Sequence, residues 1–249
     1  MNNQETRLTT YVPGEGRNFM ETCIRAAFEA CRNNELTTIV MFTATGEGPL
    51  FALREMLNEP ELQHIKVIAV TPPFGQAYLS DPSDRNSPRV IAGVPSVAAK
   101  LMTDSGIPIV AAHLPFKGPP GEPGEHGPES QWALVDKSFS ILGGGFALCV
   151  QATLLACDAG HVRAGERIVA LTSDTAMVVT ASRTELWLSQ THGLLFEYFV
   201  CRPSVYNISK ARHLSVREKR MESLMHSPLQ LTQAPMLEEE SDDEGDEPS

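Results

Sequence analysis

The sequence predicts an α/β fold around a mostly parallel sheet, and three observations carry that expectation. Continuous runs of β-branched and apolar residues occur at Thr37–Thr43, Ile65–Thr71, Ile107–Ala112 and Arg167–Leu171, a composition that suits strands covered on both faces. Segments with the 3.6-residue apolar spacing of helices alternate with them. Two further strand-like stretches, Ala176–Ala181 and Leu195–Cys201, close the series. Such an order joins parallel neighbours through right-handed crossovers.

Residues 1–10 are expected to be a disordered arm, and a single α/β domain to cover 11–205. Tyr11–Gly16 is a turn-rich lead-in. Asn18 and Glu21 then have the N-cap and N3 spacing of a capping box. They predict a helix from Phe19 to Arg32, with Phe19, Cys23, Ile24, Ala27 and Phe28 on one stripe and Asn33-Asn34 at its end. The strand Thr37–Thr43 runs into Ala44-Thr45-Gly46-Glu47-Gly48 and a helix from Pro49 whose apolar positions are Leu50, Leu53 and Leu57. Glycines let the chain turn sharply there, and the free N–H groups of a helix start favour an anion. After Ile65–Thr71, Pro72-Pro73-Phe74-Gly75 makes a stiff turn. Gln76–Arg89 is expected as a loop at the same end of the sheet. Pro95 opens a helix carrying Val97, Ala98, Leu101 and Met102, which stops at Ser105-Gly106.

Lys117–Ser130 holds too much proline and glycine for a helix or strand, and a surface insertion is expected over 113–131. A helix from Trp132 to about Leu142 follows, and Gly143-Gly144-Gly145 breaks it. Phe146–Asp158 is apolar nearly all round, which predicts a buried helix. Arg167–Leu171 leads through the polar turn Thr172-Ser173-Asp174-Thr175 to the last two strands. Beyond them, 206–237 reads as a weakly structured segment with a basic block at Lys210–Arg220, and 238–249 as a disordered acidic tail. An acidic block without apolar residues cannot offset roughly 1–2 kcal/mol of ordering entropy per residue.

With 249 residues, 42% of them hydrophobic, the chain can bury one substantial core. Eight acidic residues lie between Glu238 and Glu247, so the formal charge of −11 overstates the acidity of the folded part. That balance argues against nucleic acid as a partner. No apolar run approaches the roughly 20 residues of a membrane span, and the first residues lack the apolar centre of a secretory signal. A cytoplasmic protein without membrane contact is expected. Cys23 and Cys31, and Cys149 and Cys157, are each eight apart within helical patterns, while Cys201 stands apart. These suit buried thiols and lack the spacing of a metal site.

The sequence contains no GxSxG, HExxH or GxxxxGK[ST], and no GxGxxG placed after a strand. Four strand ends instead gather on the C-terminal rim of the predicted sheet, where open α/β sheets bind ligands. They are Thr43–Gly48, Thr71–Gly75, Ala112-His113 and Thr172–Thr175. Their hydroxyls and glycines donate well to phosphate or ribose oxygens but activate no nucleophile without a base. Glu47 complicates a phosphate site, because its carboxylate competes for the helix start. It suits instead a sugar hydroxyl or a capping role.

TYVPGEGRNFMETCIRAAFEA with TTIVMFTATGEG, and FALCVQATLLACDAGHV with RIVALTSDTAMVV, resemble stand-alone proteins related to the C-terminal α/β domain of pyruvate kinase. The likeness covers roughly residues 10–205 apart from the 113–131 insertion. Its most specific parts are Asn18/Glu21/Thr22, Asp158-x-Gly160 and Asp174-Thr175-Ala176. The resemblance implies a three-layer sandwich, with helices on both faces of a five- to six-stranded sheet whose last strand is antiparallel. It also implies binding: the related domain holds a phosphorylated effector, and some stand-alone members hold flavin mononucleotide (FMN) at the C-terminal rim without an assigned reaction. Carried over, Thr43, Thr45, Gly46 and Gly48, with Glu47 among them, hold the phosphate. Thr71, Phe74, Gly75, Thr172, Ser173, Asp174 and Thr175 border the rest.

The chain departs from the family at two places. The glycine- and arginine-rich turn before Asp174-Thr175 is shortened to Thr172-Ser173, which removes a cation suited to phosphate, and the acidic residue of the buried helix is Gln151. The expectation is a binder of FMN or another phosphorylated metabolite. A flavin-dependent oxidoreductase, in which the cofactor carries the chemistry, is one alternative. A protein-interaction module using Lys210–Arg220 and the acidic tail is another. Enzyme activity and homo-oligomerisation are both left open by the residues.

Overall fold

The apolar runs of the alternating series form the middle of the sheet. A computed structural model of the chain describes residues 6–79, 89–117, 134–135 and 138–206. The strands are β1 (Thr10–Val12), β2 (Thr38–Phe42), β3 (Lys66–Thr71), β4 (Ala77–Leu79), β5 (Arg89–Ile91), β6 (Ile109–Ala111), β7 (Arg167–Leu171), β8 (Ala176–Thr180) and β9 (Leu195–Pro203). Seven of them make one sheet in the order β1-β9-β8-β7-β2-β3-β6, and β4 and β5 form a separate two-stranded ribbon. The helices that position the rim are α1 (Met20–Asn34), α2 (Glu47–Asn58), α3 (Ser96–Asp104) and α4 (Gly144–Asp158).

β2 lies parallel to both β3 and β7, and β3 parallel to β6. β8 pairs antiparallel with β7 and with β9, and β1 joins β9 in parallel. The last strands therefore pair antiparallel. Because β8 is the strand that reverses, β9 runs again with β7. The sheet has seven strands rather than five or six, since β1 adds an edge strand beyond β9.

Alternation along each central strand builds two cores. Ile39 and Met41 of β2, Val67 and Ala69 of β3, and Val169 and Leu171 of β7 face α1 and α2, with Met102 of α3. Val40, Ile68, Val70, Ile168 and Ala170 point the other way, into a core with Phe146, Val150 and Leu154 of α4. Helices thus cover both faces, which is why the strands read as unbroken apolar runs. α4 is buried over most of its circumference, as its composition predicts.

Several expectations are corrected. No side chain caps α1: the chain enters it through a 3-10 turn at Arg17–Phe19. Glu21 instead pairs with Arg25 at 3.6 Å and Arg54 at 3.9 Å. Glu35, with φ 55°, closes α1. Leu57 of α2 and Val97 and Leu101 of α3 are exposed. In α2 the expected Leu53 is buried and Leu50 packs partly against the core, and Phe51 and Ala52 rather than Leu57 complete the inward face. The expected arm and lead-in contain β1, preceded by Thr9, whose hydroxyl donates to the Phe199 carbonyl at 2.8 Å. The Arg7 guanidinium stacks 4.4 Å from the centre of the Tyr198 ring.

The expected loop Gln76–Arg89 contains β4 and begins β5, with Ala77 opposite Ile91. Leu114 and Phe116, placed in the surface insertion, are buried, and Gln151 accepts the Phe116 N–H at 2.9 Å. The remainder of the insertion, 118–131, lies outside the described residues, as do parts of the helix expected over 132–142 and the segments expected over 207–249. Among the described residues no helix is long and apolar enough to cross a membrane.

Candidate functional site

Parallel strands bring their C-terminal ends to one rim, and backbone bonds tie those ends together. The Thr43 N–H donates to the Val70 carbonyl at 2.8 Å and the Ala112 N–H to Thr71 at 3.1 Å. Met41 and Leu171 are register partners, which sets Thr172 level with Phe42, one residue before Thr43. The Gly93 N–H donates to the Ala44 carbonyl at 2.9 Å, so the connection from β5 to α3 also reaches the β2–α2 loop. All four predicted strand ends therefore meet.

Within the β2–α2 loop, the Gly46 N–H donates to the buried Thr43 hydroxyl at 2.9 Å. Gly46 has φ 88°, and a Cβ there would lie 2.9 Å from Val94 Cγ1. At Gly48 a Cβ would come 2.7 Å from Met41 Sδ. Gly46 is thus required by its backbone conformation and its packing, whereas at Gly48 the Met41 side chain would have to move aside. Glu47 opens α2, and both of its carboxylate oxygens accept from Arg17, with the two side chains 49% and 69% exposed. Thr45 is half-buried.

Thr71 is buried, and its hydroxyl donates to the Pro72 carbonyl at 3.0 Å. Phe74 is 84% exposed, and its ring lies across Gly93, where a Cβ would be 2.7 Å from Phe74 Cδ2. Gly75, at φ 85°, donates its N–H to Ala92 at 2.9 Å. His113 is exposed at the end of β6.

The turn Thr172–Thr175 is built around Asp174, which is 8% exposed. Its carboxylate accepts the Gly16 N–H at 2.6 Å, the Thr175 hydroxyl at 2.8 Å and the Thr172 hydroxyl at 3.3 Å. α4 begins directly against it, and a Cβ on Gly145 would lie 2.8 Å from Asp174 Oδ1. A carboxylate of the chain thus stands at the positive end of α4, where an anion is favoured. Burial pushes the Asp174 carboxyl above its ordinary value, and the Gly16 and Thr175 donors pull it back. Ser173 remains half-exposed.

No protein-family model matches this chain. The rim is therefore read from its own groups. Thr43, Thr71, Thr172 and Thr175 turn their hydroxyls onto the protein itself. Thr45, Glu47, Phe74, Gly75 and Ser173 are left accessible in whole or part. Sequence reasoning missed Arg17, which lies 30 residues before Glu47; the signal was the Gly14-Glu15-Gly16 piece just ahead of it. All five cysteines are buried and unbridged, and burial pushes Cys31 up to about 12. Among the described residues no His, Cys, Asp and Glu cluster suits a metal ion.

Proposed function

We propose that the protein binds a small ligand, FMN or another phosphorylated metabolite, on the C-terminal rim of its sheet. The observation that carries this reading is the presence of Arg17 and the exposed ring of Phe74 on the same rim. Arg17 offers the cation that the shortened Thr172-Ser173 turn lacks: its Nη2 meets both Glu47 oxygens, and a guanidinium also pairs well with phosphate. Phe74 presents a flat apolar face on which a heteroaromatic ring can stack. Thr45 and Ser173 add hydroxyls for polar ligand groups.

The resemblance to stand-alone relatives of the pyruvate kinase C-terminal domain points the same way. Binding is favoured over catalysis, because the two rim carboxylates are already engaged, Glu47 by Arg17 and Asp174 by three donors. Buried, unbridged thiols suit a reducing compartment and so a cytoplasmic location.

Titration of FMN fluorescence against the full chain tests this reading. Saturable quenching is expected, weakened about tenfold or more by Arg17→Ala, given the worth of hydrogen bonds to charged groups. Riboflavin, which lacks the phosphate, should bind more weakly than FMN. Arg17→Ala alters an exposed side chain and leaves the core intact. Absence of quenching and of any melting shift at high micromolar FMN would discard the flavin version.

A further inference from the structure

We infer that Pro13–Arg17 is a strap across the C-terminal rim, held firmly at Asp174 and loosely at Glu47, and that its Glu47 end opens to admit the ligand. The second half rests on the proposed function; the strap itself does not. Its course follows from the strand order. It leaves β1 at Val12, whose carbonyl accepts the Ser204 N–H at 2.8 Å and hydroxyl at 3.1 Å. It passes the β7–β8 turn at Gly16 and reaches the start of α2 with Arg17. In the sheet order this crosses the ends of β9, β8 and β7 to arrive beside β2. Residues 13–16 bend along this course, and the Arg17 side chain covers the last step to Glu47.

The anchors differ in strength. The Gly16–Asp174 bond is charge-assisted and largely removed from solvent, the class that is costly to leave unmade. The Arg17–Glu47 pair is exposed and salt-screened, a class with small net worth. Gly16 has φ 115°, a conformation open to glycine, at the boundary between the two. Opening thus begins at Glu47 and stops at Gly16, freeing the Arg17 guanidinium while the rest of the strap stays down.

Hydrogen exchange of the full chain, followed over residues 12–19, is the test. Wild-type amides here should exchange more slowly than an unstructured peptide. Glu47→Gln should speed them about two- to fivefold, and Asp174→Asn about tenfold or more. Should Asp174→Asn fail to fold, a glycine inserted between Gly14 and Glu15 supplies slack and should raise exchange in its place. Unprotected exchange in the wild type, or no response to Glu47→Gln, overturns the strap. Glu47→Gln should also tighten FMN binding by the factor seen in exchange. If exchange responds as expected but FMN binds neither form, the ligand reading fails while the strap stands.

Discussion

The two turns that meet helix starts on the rim, Thr43–Gly48 before α2 and Thr172–Thr175 beside α4, deal with the same electrostatic situation in opposite ways. Both place a carboxylate near the positive end of a helix. At α4 the carboxylate is Asp174, buried and satisfied by three donors from the protein. At α2 it is Glu47, half in solvent and held by one exposed arginine. A buried, fully bonded group is costly to disturb, whereas an exposed pair exchanges partners easily. The contrast assigns a structural role to the Thr172–Thr175 turn and leaves Thr43–Gly48 as the turn whose charge pair is easily exchanged, which is where the proposed function places its ligand.

If that contrast is right, the largest loss comes from Gly145→Val, which drives a side chain into Thr175 and Asp174. Chemical denaturation should show a destabilisation of about 3 kcal/mol. Asp174→Ala should cost about 2 kcal/mol, because it strands the Gly16 N–H and a pair of hydroxyls.

The pH dependence of Asp174→Asn comes next. Burial raises the folded-state value of this group above 3.8, so its favourable contribution is complete below that pH and is lost as pH rises through the raised value. The stability of wild type relative to Asp174→Asn should therefore decline over that interval. Glu197, held down by Arg167, has the opposite sign: its contribution is present above 4.5 and is lost as pH falls. The smallest effect belongs to Glu47→Gln, about 0.5 kcal/mol in the same denaturation assay. A loss at Glu47 as large as that at Asp174 would erase the distinction between the turns.

How much of this was legible depended on what each residue does. β2, β3 and β7 could be read directly because strands covered on both faces must be apolar throughout. β1 could not, since three residues on a sheet edge, two of them exposed, carry no such pattern. The Asn18/Glu21 spacing was real but unused, because the 3-10 turn places Phe19 rather than Asn18 at the helix start. The four strand ends were legible from the order of elements. The direction of their hydroxyls was not, because Thr43 facing Gly46 and Thr172 facing Asp174 depend on turn geometry. Arg17 was hidden because its partner lies 30 residues away in a different element, and the Gly14-Glu15-Gly16 piece before it marks a turn without naming that partner.

The pairing of β1 with β9 sets a temporal constraint on the molecule. Val12 and Ser204 are 192 residues apart, so β1 waits for β9, the last of the described strands, before it can take its place. Contacts of such separation are slow to form, because a long loop must close before they are rewarded. The central strands and α4 can assemble while β1 is still unpaired. The β1–β9 edge of the sheet is therefore completed only once Pro203 and Ser204 have left the ribosome.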